Sequence, residues 1–290
     1  MRLWVTSKKG FLGESLTEYF PKDVIYATSR KDVDVTDPSQ VSLFIKDNEI
    51  DVVLHTAIEG GKRGRPESER VFYNNIRMFE NLANCREYYK FMINFGSGAE
   101  SSRTGEILER KEEFFTHGKS IPNDFYGFSK YIISRRIYGI GENIFNFRIF
   151  NIFGDGEEEQ RMIRSNIIRN LNNEPFVVHQ EKVMDFFSVY DLSLLIEYYL
   201  ENFSKKELYK DLNICYSIKT NLSDICNAIE RCGKRLPAQI EEKDQAPAYC
   251  GSSERIDSLG IRFLGLSKSI KIMYEKEKRK HEYKPGFEKE

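Results

Sequence analysis

In the first half of the chain, apolar residues fall into short unbroken runs separated by stretches with a helical period. Leu3-Trp4-Val5, Val24-Ile25-Tyr26, Val52-Val53-Leu54 and Phe91-Met92-Ile93 are such runs. Being apolar at successive rather than alternate positions suits strands buried on both faces of a parallel sheet. Between them, Leu12, Leu16 and Phe20, then residues 38–48, then a long stretch over 66–88 carry helix spacing. Alternating strands and helices predict an α/β protein with a doubly wound, mostly parallel sheet of seven strands and helices on both faces. Further along, 143–149 reads as a strand and 161–171 as a helix. Short strands are expected at 176–178 and 185–189, with a helix over 191–203 and a last parallel strand at 212–215. Ser223 is placed to cap a following helix, and 268–283 reads as a charged helix before a frayed end at 284–290.

The composition bounds this picture. At 290 residues, 40% hydrophobic and 13% aromatic, the chain is long and apolar enough for a substantial core. Its 44 basic and 45 acidic residues leave a net charge of −1, which gives no electrostatic case for nucleic acid or an anionic membrane as partner. No apolar run approaches the length of a membrane span, and the N-terminus enters directly into a strand. The expectation is therefore a cytoplasmic protein with neither signal peptide nor membrane anchor. Cys85, Cys215, Cys226, Cys232 and Cys250 show no Cys-x-x-Cys spacing, so reduced thiols are expected and no metal site.

The chemistry concentrates where strands end. Ser7-Lys8-Lys9-Gly10-Phe11-Leu12-Gly13 joins the first strand to the first helix. A strand, a glycine turn and a helix N-terminus together accept a dinucleotide pyrophosphate, although Ser7 stands where a first glycine is usual. The second strand ends in Thr28-Ser29-Arg30, with no carboxylate for a ribose 2′-hydroxyl. Arg30, with Ser29 and a turn lysine, suits a 2′-phosphate, or is a solvated loop charge. His55-Thr56-Ala57 closes the third strand, and a small residue at Ala57 lets a cofactor ribose pack close. The Gly-, Lys- and Arg-rich loop 59–65 is either a phosphate contact or an ordinary exposed loop. The fourth strand delivers Gly96-Ser97-Gly98 to the carboxyl edge of the sheet, where ligands of open α/β folds bind. Tyr126 and Lys130 lie four apart on a predicted helix and share a face. An ammonium there favours phenolate, which lets a tyrosine trade a proton near neutral pH.

Taken in order, these pieces resemble the extended short-chain dehydrogenases/reductases, the family of nucleotide-sugar epimerases, dehydratases and ketoreductases. The matching residues are Gly10-Phe11-Leu12-Gly13, Asp34 to Asp37, His55-Thr56-Ala57, Asn75, Ser97, Tyr126 with Lys130, Arg148 to Gly154, and Met184 to Asp191. The resemblance implies a Rossmann-type fold with Ser97, Tyr126 and Lys130 as catalytic residues. It also implies a nicotinamide cofactor held by Ser7, Gly10, Phe11, Leu12, Gly13, Ser29, Arg30, His55, Ala57 and Lys130. A smaller C-terminal lobe would take the nucleotide sugar, with Ser97, Asn151, Arg161 and Arg164 as substrate contacts. The expected division is 1–155 with 185–215 as the dinucleotide-binding domain, and 156–184 with 216–283 as the substrate lobe.

Within the family, dehydratases carry an Asp-Glu pair directly after the catalytic serine, whereas Ser97 is followed by Gly98-Ala99. The end of the second strand resembles NADPH-using reductases such as GDP-fucose synthase. Yet the cysteine and histidine that enzyme uses for epimerisation have no counterparts here. The expectation is an NADPH-dependent 4-ketoreductase of a nucleotide sugar, of the kind serving bacterial-type surface-polysaccharide biosynthesis. An NAD-retaining 4-epimerase and a non-catalytic dinucleotide sensor are the alternatives. The family also implies a homodimer through two paired helices, for which Phe72, Ile76, Phe79, Tyr126, Ile133 and Ile137 supply apolar positions that would serve equally against their own sheet.

Overall fold

A computed structural model describes residues 1–22, 24–61, 65–102, 105–118, 120–205, 207–242 and 244–282. Part of the basic loop (62–64) and the terminal segment 284–290 lie outside the described residues. Strand β1 (Leu3–Val5) leads through the glycine turn into helix α1 (Phe11–Tyr19). Then come β2 (Ile25–Ala27), α2 (Pro38–Asp47), β3 (Val52–His55), α3 (Glu69–Asn84) and β4 (Phe91–Ser97). After β4, the chain detours through β5 (Ile107–Arg110) and α4 (Glu112–His117) before α5 (Phe125–Gly139) and β6 (Ile144–Ile149). It then leaves the sheet through β7 (Ile152–Phe153), α6 (Met162–Leu171), β8 (Phe176–Gln180) and β9 (Phe187–Ser188), and returns along α7 (Val189–Asn202) to β10 (Asp211–Ile214). The last elements are α8 (Leu222–Glu230), β11 (Ala238–Glu242), β12 (Tyr249–Gly251), α9 (Glu254–Ser258) and α10 (Leu266–Glu282).

The main sheet has the order β10-β6-β4-β3-β1-β2, and every pairing in it is parallel. Among the described residues it holds six strands, not the seven expected. The remaining short strands pair elsewhere: β8 with β11, β9 with β7 and β12 with β5. Alternation along each strand sends successive side chains to opposite faces. Leu3, Val5, Leu54, Ile93 and Phe147 meet Leu16 of α1 and Leu195 and Tyr199 of α7 on one face. Trp4, Val53 and Met92 meet Val41 of α2, Phe79 and Leu82 of α3 and Ile133 and Ile137 of α5 on the other. A separate core, including Ile163, Ile167, Phe176, Ile225 and Met273, is built from α6, β8, α8 and α10.

Local chemistry sets the helix ends. Asp37 caps α2, accepting from the Ser39 and Gln40 amides ahead of Pro38 in the first turn, and Asp124 caps α5 through the Gly127 amide at 2.7 Å. Ser188 caps α7 through the Asp191 amide. Two sequence expectations are corrected. The helix expected over 66–88 is confined to 69–84, because the chain tightens into a 3₁₀ turn at Arg86–Tyr88. Ser223 is not a cap: Asn221 occupies that position, and the Ser223 hydroxyl donates to Glu181.

Candidate active site

The strand order changes direction between β1 and β3, and the carboxyl ends of these two strands form the crevice where dinucleotides bind in such sheets. The two strand ends are stitched together. The Ser7 amide donates to Thr56 Oγ1 at 3.0 Å, and the Ala57 amide to Thr6 Oγ1 at 3.0 Å. Gly10 is the N-cap residue of α1, and no side chain caps that helix. Its first-turn amides are thus left without a side-chain acceptor, the arrangement that receives a phosphate. Gly13 packs so closely on the Ser7 carbonyl that a β-carbon there would collide with it. Ser7, standing in for the usual glycine, leaves this close approach intact. These residues fit a dinucleotide pyrophosphate.

At the end of β2, the Ser29 amide and hydroxyl both donate to Asp32 Oδ2 at 2.8 Å, and Lys8 pairs with the same oxygen at 2.9 Å. The backbone bond from Ser29 holds the Asp32 carboxyl well below the usual carboxylate range, with Lys8 adding to it. Arg30 reaches two other acids, Asp34 at 3.2 Å and Glu59 at 3.3 Å. His55 is buried beside Lys130; burial and that neighbouring cation push its imidazole down to about 3, so it stays neutral.

Tyr126 lies in the first turn of α5 and Lys130 one turn on. Lys130 is buried, and its Nζ donates to the Phe95 carbonyl of β4 at 2.6 Å while lying 5.8 Å from the centre of the Tyr126 ring. Burial lowers its ammonium to about 8, a shift that Glu100 partly opposes. Ser97, two residues beyond Phe95, ends β4 and starts a 3₁₀ turn over Gly98–Glu100. Gly127 lets α5 settle on that turn: a β-carbon there would come within 2.8 Å of the Ala99 carbonyl. The lysine therefore ties the tyrosine helix to the strand that carries the serine. Gly61 packs against the Tyr126 ring, and Glu67 accepts from the amides of both Gly61 and Tyr126 at 2.7 and 2.9 Å. Asn75 is buried, exchanges two bonds with the backbone of Glu59 and donates to Ser129 Oγ, fixing the loop after β3 to both helices.

The other expected substrate contacts are distributed differently. The Asn151 amide donates to the Asp185 carbonyl at 2.9 Å. Arg161 is exposed at the N-cap of α6, whereas Arg164 turns inward onto the Glu157 carbonyl and the carboxylates of Glu159 and Glu277. The two guanidinium groups thus do not form one fork. A cavity of about 720 Å³ between the loop after β10, α8 and the start of α10 includes none of Ser97, Tyr126 or Lys130. Among the described residues, no helix is long and apolar enough to cross a membrane, and no cluster of side chains is placed to hold a metal ion.

Two features escaped the sequence reading. Glu67 comes from 59 residues before Tyr126 and carries no local signal. Glu100 does carry one, because Ser97-x-x-Glu100 is a capping-box pattern, and both of its bonds are formed.

Fold and site together define a dinucleotide-binding α/β enzyme with a tyrosine–lysine helix at the carboxyl edge of its sheet. Residues 4–215 match the model of the NAD dependent epimerase/dehydratase family, and the chain belongs to that family, whose enzymes are NAD(P)-dependent oxidoreductases of the short-chain dehydrogenase/reductase type. No curated protein matches it in sequence. Solved structures share its fold at low identity. One is a GDP-mannoheptose C4 reductase from Campylobacter jejuni with NADP bound, 17% identical with a TM-score of 0.77 over 96% of this chain and 98% of that one. Another is a GDP-L-fucose synthetase from Naegleria fowleri, 15% identical, TM-score 0.80, over 97% and 94%. A third is a UDP-glucose 4-epimerase from Thermus thermophilus in complex with NAD, 18% identical, TM-score 0.73, over 95% and 98%.

Proposed function

We propose that the protein reduces a keto group, at carbon 4 in our reading, on a nucleotide-activated sugar with NADPH, and supplies sugars for surface polysaccharide. The observation that carries this reading is the buried Lys130, held between the Phe95 carbonyl and the Tyr126 ring beside the strand end that bears Ser97. Residues 7–13 would hold the pyrophosphate, Ser29 and Arg30 the adenosine end, and His55 and Ala57 the crevice wall. When bound, a reduced nicotinamide supplies hydride to the keto carbon. Tyr126 gives its phenolic proton to the oxygen that becomes a hydroxyl, and Ser97 donates a hydrogen bond to the same oxygen. Lys130 stabilises the resulting phenolate and presents its ammonium toward the ribose. Asn151 and Arg161 remain as substrate contacts; Arg164 acts by holding Glu157 and Glu277 in place.

Mixing the protein with NADPH and 4-keto nucleotide sugars should oxidise the cofactor and add two hydrogens to the sugar, as read by mass spectrometry. A second reading, an NAD-retaining 4-epimerase, is favoured by one observation: the Asp32 carboxylate lies at the end of β2, where a ribose hydroxyl would find it. NAD released on denaturing the purified protein, with no net reduction of the sugar, would select that reading. Asp32 is nevertheless engaged by Ser29 and neutralised by Lys8, which favours a 2′-phosphate beside Arg30. NADPH is expected to exceed NADH more than about tenfold in kcat/KM, which needs only ~1.4 kcal/mol. Arg30→Ala should remove most of that preference with little change in turnover at saturating cofactor, and equal efficiencies in the parent would end the NADPH assignment.

For assembly, Phe79, Ile133 and Ile137 are removed from the expected interface, since all three are buried against their own sheet. Phe72 stacks on Phe128 at 4.9 Å between α3 and α5, with Tyr73 61% exposed beside it. A dimer through this face should be visible by light scattering at micromolar concentration and should dissociate in Tyr73→Glu.

A further inference from the structure

Glu100 is 1% exposed and lies under the strand end that carries Ser97. One carboxylate oxygen accepts from the Ser97 amide at 3.0 Å and from Asn146 Nδ2 at 3.3 Å; the other accepts from Arg148 Nε at 2.7 Å. The Ser97 hydroxyl meanwhile accepts from the Ala99 amide at 3.2 Å, completing the capping box. Arg148 is fully buried and continues the chain of contacts to Asn213 at 3.1 Å, Asp211 at 3.0 Å and Ser134 at 3.4 Å, with its guanidinium 4.5 Å from the Phe115 ring centre. Gly96 shows that the carboxylate has a built place. A β-carbon on it would run into Glu100 Oε1 and Asn146 Oδ1, so the strand has given up a side chain where the acid sits.

A Ser-x-x-Glu box by itself is ordinary turn chemistry. What sets this one apart is its surroundings. Its acid is fully enclosed, is clamped by a buried guanidinium, and lies against Gly96, the residue next to the Phe95 carbonyl that holds Lys130. The groups facing Lys130 are Tyr126 on its own helix, neutral His55 from β3 and Glu100 from the turn after β4. Glu100 is thus the acid that offsets the burial of the lysine while holding the serine backbone.

Resting on the reading of Ser97, Tyr126 and Lys130 given above, we infer that Glu100, clamped by Arg148, is a positioning residue that sets the orientation of Ser97 and serves as the buried counter-acid to Lys130. It touches neither substrate nor cofactor, and acts through those two side chains. The arrangement divides the labour: Arg148 fixes where the carboxylate stands, and the carboxylate fixes the two groups above it. Removing the charge alone, by Glu100→Gln, lowers the affinity of the lysine for its proton. The alkaline limb of kcat/KM, where activity is lost as Lys130 deprotonates, then moves to lower pH. Displacing the carboxylate without deleting it, by Gly96→Ala, misplaces Ser97 at constant charge count.

The test follows Lys130 directly in the ligand-free protein by NMR of lysine side chains labelled with carbon-13, using Lys130→Arg to assign the signal. Glu100→Gln should shift the Lys130 titration and the alkaline limb together to lower pH, and reduce kcat by about 10²-fold, the cost of a small misplacement at a reacting group. Gly96→Ala should reduce kcat similarly. Because Glu100→Gln leaves Arg148 short of an acid, and Arg148 also serves Asp211, the triple variant Glu100→Leu/Arg148→Met/Asp211→Asn provides the control for folding. It should recover the unfolding midpoint without recovering turnover. A triple variant that recovers both stability and turnover, or a Lys130 titration unmoved by Glu100→Gln, would overturn the inference. The NMR titration needs no substrate, so it stands apart from any failure of the proposed reaction.

Discussion

Replacing Tyr126 with phenylalanine should lower turnover by roughly 10²–10⁴-fold, the usual contribution of a positioned general acid. The ring would remain, so its packing against Gly61 and its place over Lys130 should survive. The unfolding midpoint and the affinity for the dinucleotide should therefore change little while kcat falls. That separation matters because the backbone of Tyr126 is also structural: its amide is held by Glu67, which holds the loop after β3 as well. A variant with near-normal turnover would remove the phenol from the chemistry and return the helix to a purely architectural role.

The second large effect concerns stability. Arg148→Met should destabilise the protein by about 3–5 kcal/mol, the cost of leaving buried charge without its partner. Two acids lose their cation at once, Glu100 at 2.7 Å and Asp211 at 3.0 Å. Burial already pushes the Asp211 carboxyl up in the parent, with Arg148 pulling against it. Without the guanidinium, the Asp211 carboxyl holds its proton to still higher pH in the folded state than in the unfolded chain. The folded state then binds more protons, and stability falls as pH rises through the raised value. The deficit should be greatest at neutral and alkaline pH and should shrink toward the ordinary carboxylate range. Urea unfolding at a series of pH values reads this directly; a deficit independent of pH would point to lost packing on Phe115 instead of unpaired charge.

How much of this was legible beforehand depended on whether the signal was local. Gly10 and Gly13 between a buried strand and an amphipathic helix spelled out the turn, and that turn joins β1 to α1. Tyr126 and Lys130 were readable because a helix brings positions four apart together. The seventh strand was overcounted because short apolar runs such as 176–178 look alike whether they join the main sheet or pair with a distant partner, here β11. Arg164 looked available for a diphosphate because one of its acids, Glu277, lies 113 residues away. Glu100 is harder to read than the two positions directly after Ser97, where dehydratases differ. Its burial depends on Arg148 and Asn146, and neither is near it in sequence.

The route of the chain through the sheet also dictates an order of assembly. β6 brings Arg148 into the sheet, but Asp211, the second acid it needs, lies 63 residues further on and enters only with β10. In between, the chain departs to build β7, α6, β8 and β9 before α7 carries it back. A growing or refolding chain therefore holds a guanidinium destined for full burial with Glu100 but without Asp211, until the edge strand docks. Such non-local closure is slow, because the loop must be ordered before its contacts form. The edge strand β10 accordingly acts as a latch. The sheet can seal its most costly interior charge only after the excursion through β7, α6, β8 and β9 has been closed by α7, which makes docking of the edge strand the closing step of the sheet.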